Sequence, residues 1–350
     1  SYPYVIYPCL NPLAQDADLF GVKRIAEVAM MHNADVVIIQ QDPWNFPDYI
    51  KELRKAHINV PVIGFVAVDG KNCKGTDLNE LELAIFWTEF GAKEARLGGY
   101  TGPAAIVPLG VDLNVYKPMD KIAARTIMEL PKNLHNKFIV GNVNRNQPRK
   151  RLDLTIRYFA EWVRQYKVDD AYLFLHVAPT GDVGWDVRQL IGYYGCRGRL
   201  ILASPDVGRG VPEAYLAATY SCFDVQVNTG AGEGWGLTTL EGMACGTPQI
   251  VPDWAALGEW ASGAATLVPC TSFTHTPGNI NVLGGVPDEK WFIEALQQYY
   301  SNEGFRQRQS AFALRRASEP MFRWENIGQR FADTLAEGLA MLEQKEPVGA

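Results

Sequence analysis

The chain has 350 residues, too long for one ordinary domain and about right for two, since domains typically run to about 150 residues. Its hydrophobic fraction of 47% against 21% charged excludes a disordered chain, and apolar runs such as 36–39 fall far short of the roughly 20 residues that span a bilayer. The net charge of −6, from 33 basic and 39 acidic residues, leaves no basic excess to neutralise a phosphate polymer and excludes nucleic acid as the natural partner.

In chain order, strands are expected at 4–7, 35–40, 60–68, 84–88 and 105–108, with helices at 21–32, 48–56 and 89–97 between them. The strands are near-continuous apolar runs, the pattern of a parallel sheet covered on both faces. Helix-length segments between strands mean βαβ units with right-handed crossovers. The rhythm breaks at 110–135, which holds Pro118, Pro131 and a polar helix at 120–130. It restarts with strands at 138–143, 171–177, 199–203, 223–228, 249–251 and 265–268. Helices at 151–166, 185–194, 212–221, from about 237, and at 254–261 alternate with them. Helices at 290–300, 303–316 and 324–342 close the chain, the last with an apolar stripe of Phe331, Leu335, Leu339 and Leu342 at core-packing spacing. No element is assigned to 269–289. The expected fold class is α/β: two doubly wound, Rossmann-like lobes facing a cleft, with the N-terminal lobe at 1–118 and the second at 119–320, followed by a terminal helix in 321–350. In such sheets ligands bind beyond the carboxyl ends of the strands.

Six cysteines (Cys9, Cys73, Cys196, Cys222, Cys245, Cys270) form no C-x-x-C pair, so neither a zinc nor a redox motif is met. Cys222 and Cys245 read as small buried hydrophobes, and the compartment implied is reducing and cytoplasmic. There is no charged-then-apolar leader at the start and no bilayer span, which leaves peripheral contact with a membrane surface open.

The densest signal runs from Asn228 to Pro248. A strand ends at Asn228, and Gly230, Gly232, Gly234 and Gly236 follow before a helix begins near Leu237. Alternating glycines permit positive φ and close approach of backbone to ligand, and a helix N-terminus is an anion site. Glu233 in the loop and Glu241 in the helix flank it. Carboxylates repel phosphate but accept paired hydrogen bonds from diols, so a phosphate with polyols on either side, a nucleotide sugar, fits. The alternative is a glycine-rich turn before an ordinary core helix, with both glutamates solvated. The G-x-G-x-x-G dinucleotide spacing fails, because Trp235 and Leu237 stand where it needs glycine. The second signal, residues 144–151 (NRNQPRKR), places Arg145, Arg149, Lys150 and Arg151 just past a strand end, a local cationic contrast suited to a diphosphate. The alternative is a solvated basic loop.

Together these segments resemble the donor-binding half of the family 4 retaining glycosyltransferases of GT-B fold, the group 1 glycosyl transferases. The family's E-x7-E signature is matched by Glu233 and Glu241, followed by residues 242–248 (GMACGTP). Its Arg…Lys pair is matched by Arg145 and Lys150. Residues 108–112 (PLGVD) with 116–118 (YKP) resemble its interdomain link, and 256–259 (ALGE) its G-x-x-E run. The resemblance implies that Glu233 contacts the donor sugar hydroxyls and Glu241 the ribose. It implies that Arg145 and Lys150 hold the diphosphate and stabilise the leaving group. Asn144, Gly234 and the backbone N–H groups of Trp235, Gly236, Leu237, Thr238 and Thr239 would complete the donor site, and Ser204, Pro205 and Val207 would hold the base. It further implies no metal and no cofactor beyond a UDP- or GDP-linked donor, an acceptor hydroxyl on a glycan, lipid or small molecule, and a last helix returning to the first lobe. The single D-x-D match, Asp16 to Asp18, lies far from the other motifs and reads as no metal site.

In the first lobe, Asp69 follows a strong strand and is the candidate catalytic group there, with Asp42, Trp44, Thr88 and Glu89 as further cleft candidates. His176 ends a strand and reads as structural. The family usually opens with a strand and a glycine-rich loop that nothing before Tyr4 supplies, and the first residue is Ser1, so a short or truncated first lobe is expected. The functional expectation is sugar transfer from a nucleotide-diphosphate sugar. A sugar-nucleotide epimerase and a truncated or non-enzymatic nucleotide-sugar-binding module are the alternatives. Donor consumption that depends on an added acceptor separates the three.

Overall fold

The computed structural model describes residues 3–9, 18, 20–178, 183–203 and 210–343, the side chains of 342 and 343 excepted. These group into two compact units. The first draws on Ser1–Val68, Asn72–Val107 and Phe331–Ala350, the second on Asp69–Lys71 and Pro108–Arg330.

The first unit carries a four-stranded parallel sheet in the order β1-β2-β3-β4: Val37–Gln41, Val62–Val66, Leu83–Phe86 and Ala104–Ile106. Helices α1 (Ile25–Met31), α2 (Phe46–Lys55) and α3 (Glu89–Leu97) alternate with them. Phe46, Ile50 and Leu53 of α2 pack with Val62, Val66 and Phe86 of the sheet. This is the spacing by which one helical stripe covers a continuous apolar strand face. Residues 4–7 are not a strand, contrary to the sequence expectation. Tyr4, Val5 and Ile6 are largely exposed, and β1 is an edge of the sheet. β-branched composition alone forms no strand without a neighbour to complete a ladder. The ring of Phe331 packs edge-on against Phe65 at 5.2 Å. Leu335 and Leu339 are half-buried, and Leu342 lies outside the described side chains.

The second unit holds a six-stranded parallel sheet in the order β10-β9-β8-β5-β6-β7. Its strands are β5 (Phe138–Val143), β6 (Ala171–His176), β7 (Leu200–Ala203), β8 (Val225–Val227), β9 (Gln249–Pro252) and β10 (Thr266–Val268). The helices of this unit include α5 (Leu152–Tyr166), α6 (Val187–Tyr193), α7 (Glu213–Ser221), α8 (Leu237–Ala244), α9 (Ala255–Trp260) and α10 (Glu289–Ser301). Leu152, Ile156, Phe159 and Trp162 of α5 meet Phe292, Leu296 and Tyr299 of α10 in its core. α4 (Lys121–Ile127) contributes Arg125, which is 1% exposed. Arg125 pairs with Asp224 at 2.8 Å and donates to the carbonyls of Cys222, His135 and Lys137. The antiparallel hairpin of β11 (Cys270–His275) and β12 (Leu283–Pro287) was not expected from sequence. Its strands alternate poorly and contain Gly284 and Gly285, which read as loop. Both glycines are needed by packing: a Cβ would lie 2.7 Å from the Ala231 carbonyl at Gly284 and 2.6 Å from the Trp254 ring at Gly285.

Candidate functional site

Strand order reverses at the β5/β8 pair, with β6 and β7 on one side and β9 and β10 on the other. A doubly wound sheet opens its ligand crevice at such a switch point. The loops leaving β5 and β8 therefore meet there, and they carry the two motifs singled out from sequence.

Each loop is held in a conformation that ordinary sequence disfavours. Arg151 caps α5 in the left-handed region (φ 48°, ψ 47°), which costs a non-glycine residue on the order of 1 kcal/mol. Its carbonyl accepts from the Thr229 hydroxyl at 2.8 Å, and its guanidinium is bidentate on Asp153. Thr229 also meets Thr155 at 2.6 Å, and Thr155 accepts from Asn142. This buried chain ties the strand end to both loops. Across the crevice, Gly236 takes φ 92° at the start of α8, and a Cβ there would lie 2.6 Å from Leu257.

The loops bring four charges together. Lys150 Nζ donates to both carboxylate oxygens of Glu233 at 2.7 Å. Arg149 Nη1 reaches Glu233 Oε2 at 3.3 Å and the Gly232 carbonyl, while its Nε pairs with Asp69 Oδ2 at 3.1 Å. Asn228 donates to Glu233 Oε1 at 3.3 Å and accepts from the Gly230 N–H at 2.7 Å. The Gly234 N–H donates to the Asp69 carboxylate. Gly232 is required where it stands, since a Cβ would lie 1.9 Å from the Asp69 carbonyl oxygen.

Burial pushes the Glu233 carboxyl up, but Lys150 and Arg149 outweigh it and bring it down to about 2. Burial lowers the Lys150 ammonium below its usual value, against the pull of Glu233. Asp69 is raised by burial, with Arg149 opposing and Glu233 adding to the rise. Two cations and two carboxylates face one another in this pocket. Each charge is nevertheless poised for a ligand that supplies the other sign or a hydroxyl.

Glu241 lies on α8, apart from this cluster. Its Oε2 accepts from the Tyr220 hydroxyl at 2.5 Å, and Tyr116 bonds it as well. Burial raises it, the Tyr220 bond lowers it, Glu213 raises it and the Tyr116 bond lowers it, leaving it at about 7.

Of the residues singled out from sequence, Glu233, Lys150 and Asp69 come together, with Gly234 bonded to Asp69. Arg145 is exposed on the same loop, and Asn144 donates to Asn142 at 2.9 Å. Trp235 is 3% exposed, and its ring is stacked on that of Trp260 at 5.3 Å. Leu237 and Thr238 open α8, whereas the Thr239 N–H is taken by the Gly236 carbonyl at 3.0 Å and does not project into the crevice as a donor. Ser204, Pro205 and Val207 lie outside the described residues, as does Asp16. Asp18 accepts from the N–H groups of Val22, Lys23 and Arg24. Thr88 is a helix cap, its hydroxyl accepting from Gly91 at 3.0 Å. Asp42 and Trp44 sit in the turn after β1. His176 is buried, and burial lowers it to about 4.

Sequence reasoning passed over Arg149 among the loop cations, and Tyr220 altogether. The signal for Arg149 was its place next to Lys150. Tyr116 was marked only as part of the link motif. Among the described residues no three His, Cys, Asp or Glu side chains are grouped to hold a metal ion. No helix there is long and apolar enough to cross a membrane.

No family model matches the chain. It is 31% identical over 251 residues to a D-inositol 3-phosphate glycosyltransferase of Streptosporangium roseum, a match covering 70% of this chain and 52% of the relative. A protein of the same name from Thermobispora bispora is 27% identical over 250 residues, covering 70% of this chain and 53% of that one. The chain thus spans about half the length of the curated relatives it matches. Among solved structures, sucrose-phosphate synthase of Thermosynechococcus elongatus superposes with TM-score 0.72 at 18% identity, covering 91% of this chain and 77% of that one. HepE of Anabaena, solved in complex with UDP-glucose, gives TM-score 0.71 at 17% identity, covering 93% and 84%.

Proposed function

We propose that this chain is a GT-B, group 1 glycosyltransferase, a reading its relatives and its fold support, and that it takes a nucleotide-diphosphate sugar and transfers the sugar to an acceptor hydroxyl with retention of configuration. The observation that carries the reading is Lys150 held on Glu233, with Arg149 and Asp69 beside them, at the switch point of the second sheet. An incoming diphosphate supplies negative charge to the cations of this pocket. Lys150 and Arg145 take the diphosphate and stabilise the charge that develops on it as the glycosyl–phosphate bond breaks. Glu233 turns to the sugar hydroxyls and Glu241 to the ribose diol. Lysine and arginine supply the positive charge, so the reading needs no metal.

HepE was solved with UDP-glucose, and a trehalose-6-phosphate protein of E. coli, similar in fold at TM-score 0.65, with UDP-2-fluoro glucose. Both support a UDP-linked donor. The relatives' name supports a small polyol phosphate as one acceptor class. Nothing among these relatives and structures supports the sugar-nucleotide epimerase alternative.

Calorimetric titration with UDP and GDP tests the donor site. Binding to the wild type that weakens about 100-fold in Lys150→Ala agrees with the proposal, and a wild type that binds neither nucleotide refutes it. Transfer is then read as donor consumption that requires an added polyol or sugar acceptor.

A further inference from the structure

Lys150 has two tasks that compete. Its ammonium carries three N–H donors, and two of its contacts are spent on Glu233 Oε1 and Oε2 at 2.7 Å each. A diphosphate drawn to Lys150 takes that charge away from a carboxylate that is 5% exposed. A buried carboxylate stripped of its cation either reprotonates or moves, and in both cases it loses its hold on a sugar hydroxyl.

Among the described residues two donors remain when Lys150 turns away, one on each oxygen: Asn228 on Oε1 and Arg149 on Oε2, both at 3.3 Å. Of these only Arg149 is charged. Its position is also set by more than Glu233. Its Nε is on Asp69 Oδ2 at 3.1 Å, its Nη1 on the Gly232 carbonyl, and its own carbonyl accepts from the Ala231 N–H at 2.8 Å. A planar guanidinium fixed on three acceptors cannot swing to a phosphate as a lysine does. Gly232 packs its bare Cα face on the Asp69 backbone, so Arg149 spans the joint between residue 69 and the glycine-rich loop.

We propose that Arg149 is a positioning residue: it holds Glu233 and Asp69 in place while Lys150 is given over to the diphosphate. The proposal rests on the donor-site reading above and adds to it a division of labour between adjacent cations. Lys150 binds, and Arg149 acts through Glu233 and Asp69 without touching the donor.

The test measures UDP affinity and transfer rate separately in the full chain, for wild type, Arg149→Met and Arg149→Lys. In R149M the Kd for UDP stays within about threefold, whereas kcat falls by about 100-fold. The acid limb of kcat/KM moves to higher pH, because Glu233 has lost a cation. R149K recovers about tenfold of the lost rate by restoring the charge without the fork. UDP affinity that falls in step with the rate overturns the proposal, since Arg149 is then a diphosphate ligand. So does an unchanged rate, or an R149K no better than R149M with the acid limb unmoved. Should R149M fail to fold, R149K decides: a displaced acid limb at preserved UDP affinity supports the proposal, and affinity lost in step with rate overturns it. A wild type that binds no nucleoside diphosphate overturns the donor-site reading itself, and this proposal with it.

Discussion

Glu241 makes the most exacting test, because its environment turns pH into donor affinity. Its carboxyl lies at about 7, raised chiefly by burial and held back by the Tyr220 and Tyr116 hydroxyls. A ribose diol donates its hydrogen bonds and so selects the ionised carboxylate. At pH 6 about a tenth of the free protein carries that form, and at pH 8 about nine-tenths, so the Kd should tighten by about tenfold over this range. The ligand should be an intact UDP-sugar, whose diphosphate carries no group titrating near neutrality. Calorimetry at pH 6, 7 and 8, repeated in two buffers of different ionisation enthalpy, reads both the affinity and the proton released on binding. Glu241→Gln should abolish both dependences at a weakened, flat affinity. Tyr220→Phe should shift the profile to higher pH by removing a donor to the ionised form. A Kd that changes by less than about twofold in the wild type, or a slope that survives in E241Q, refutes the assignment of Glu241 to the ribose.

Three further outcomes follow from the geometry. Glu233, lowered from 4.5 to about 2, contributes about 3 kcal/mol of stability at neutral pH. That contribution is present above pH 4.5 and lost as pH falls toward 2, so acid titration of unfolding should lose a limb in Glu233→Gln, and an unchanged limb contradicts the reading. Arg125→Met leaves Asp224 with Lys121 and the Ile139 N–H and strands the carbonyls of His135 and Lys137. The urea midpoint should report a loss of about 3–5 kcal/mol, and a loss below about 1 kcal/mol would show that the pair is replaceable. Gly232→Ala forces a Cβ against the Asp69 carbonyl and should abolish transfer while far-UV circular dichroism stays native; full activity would remove the close approach from the argument.

Much of the second unit was legible from composition and period. Continuous apolar runs at 138–143 and 171–177 have one stable use, a parallel strand buried on both faces, and they became β5 and β6. The structure adds helix caps at Asp120, Asp186 and Asp288, whose side chains accept from first-turn amides. The glycine-rich loop was legible because four alternating glycines have no better use than close backbone approach. By contrast, 4–7 had strand composition but no neighbour. The β11/β12 hairpin had loop composition but found partners, with Leu283 exchanging main-chain bonds with Lys71 at 2.8 and 3.0 Å.

The sequence by itself determined the alternation of strands and helices, the two motif loops, and the charged residue types those loops carry. Those are properties of neighbours along the chain: period, propensity and local charge. Only the tertiary structure decided that Arg149 joins Lys150 on Glu233, that Asp69 closes the cluster from residues 69–71, and that Tyr116 and Tyr220 converge on Glu241. Each of these contacts links residues at least 20 positions apart. Their energies depend on burial and mutual distance, which exist only once the sheet order has brought β5 beside β8 and their loops to one edge.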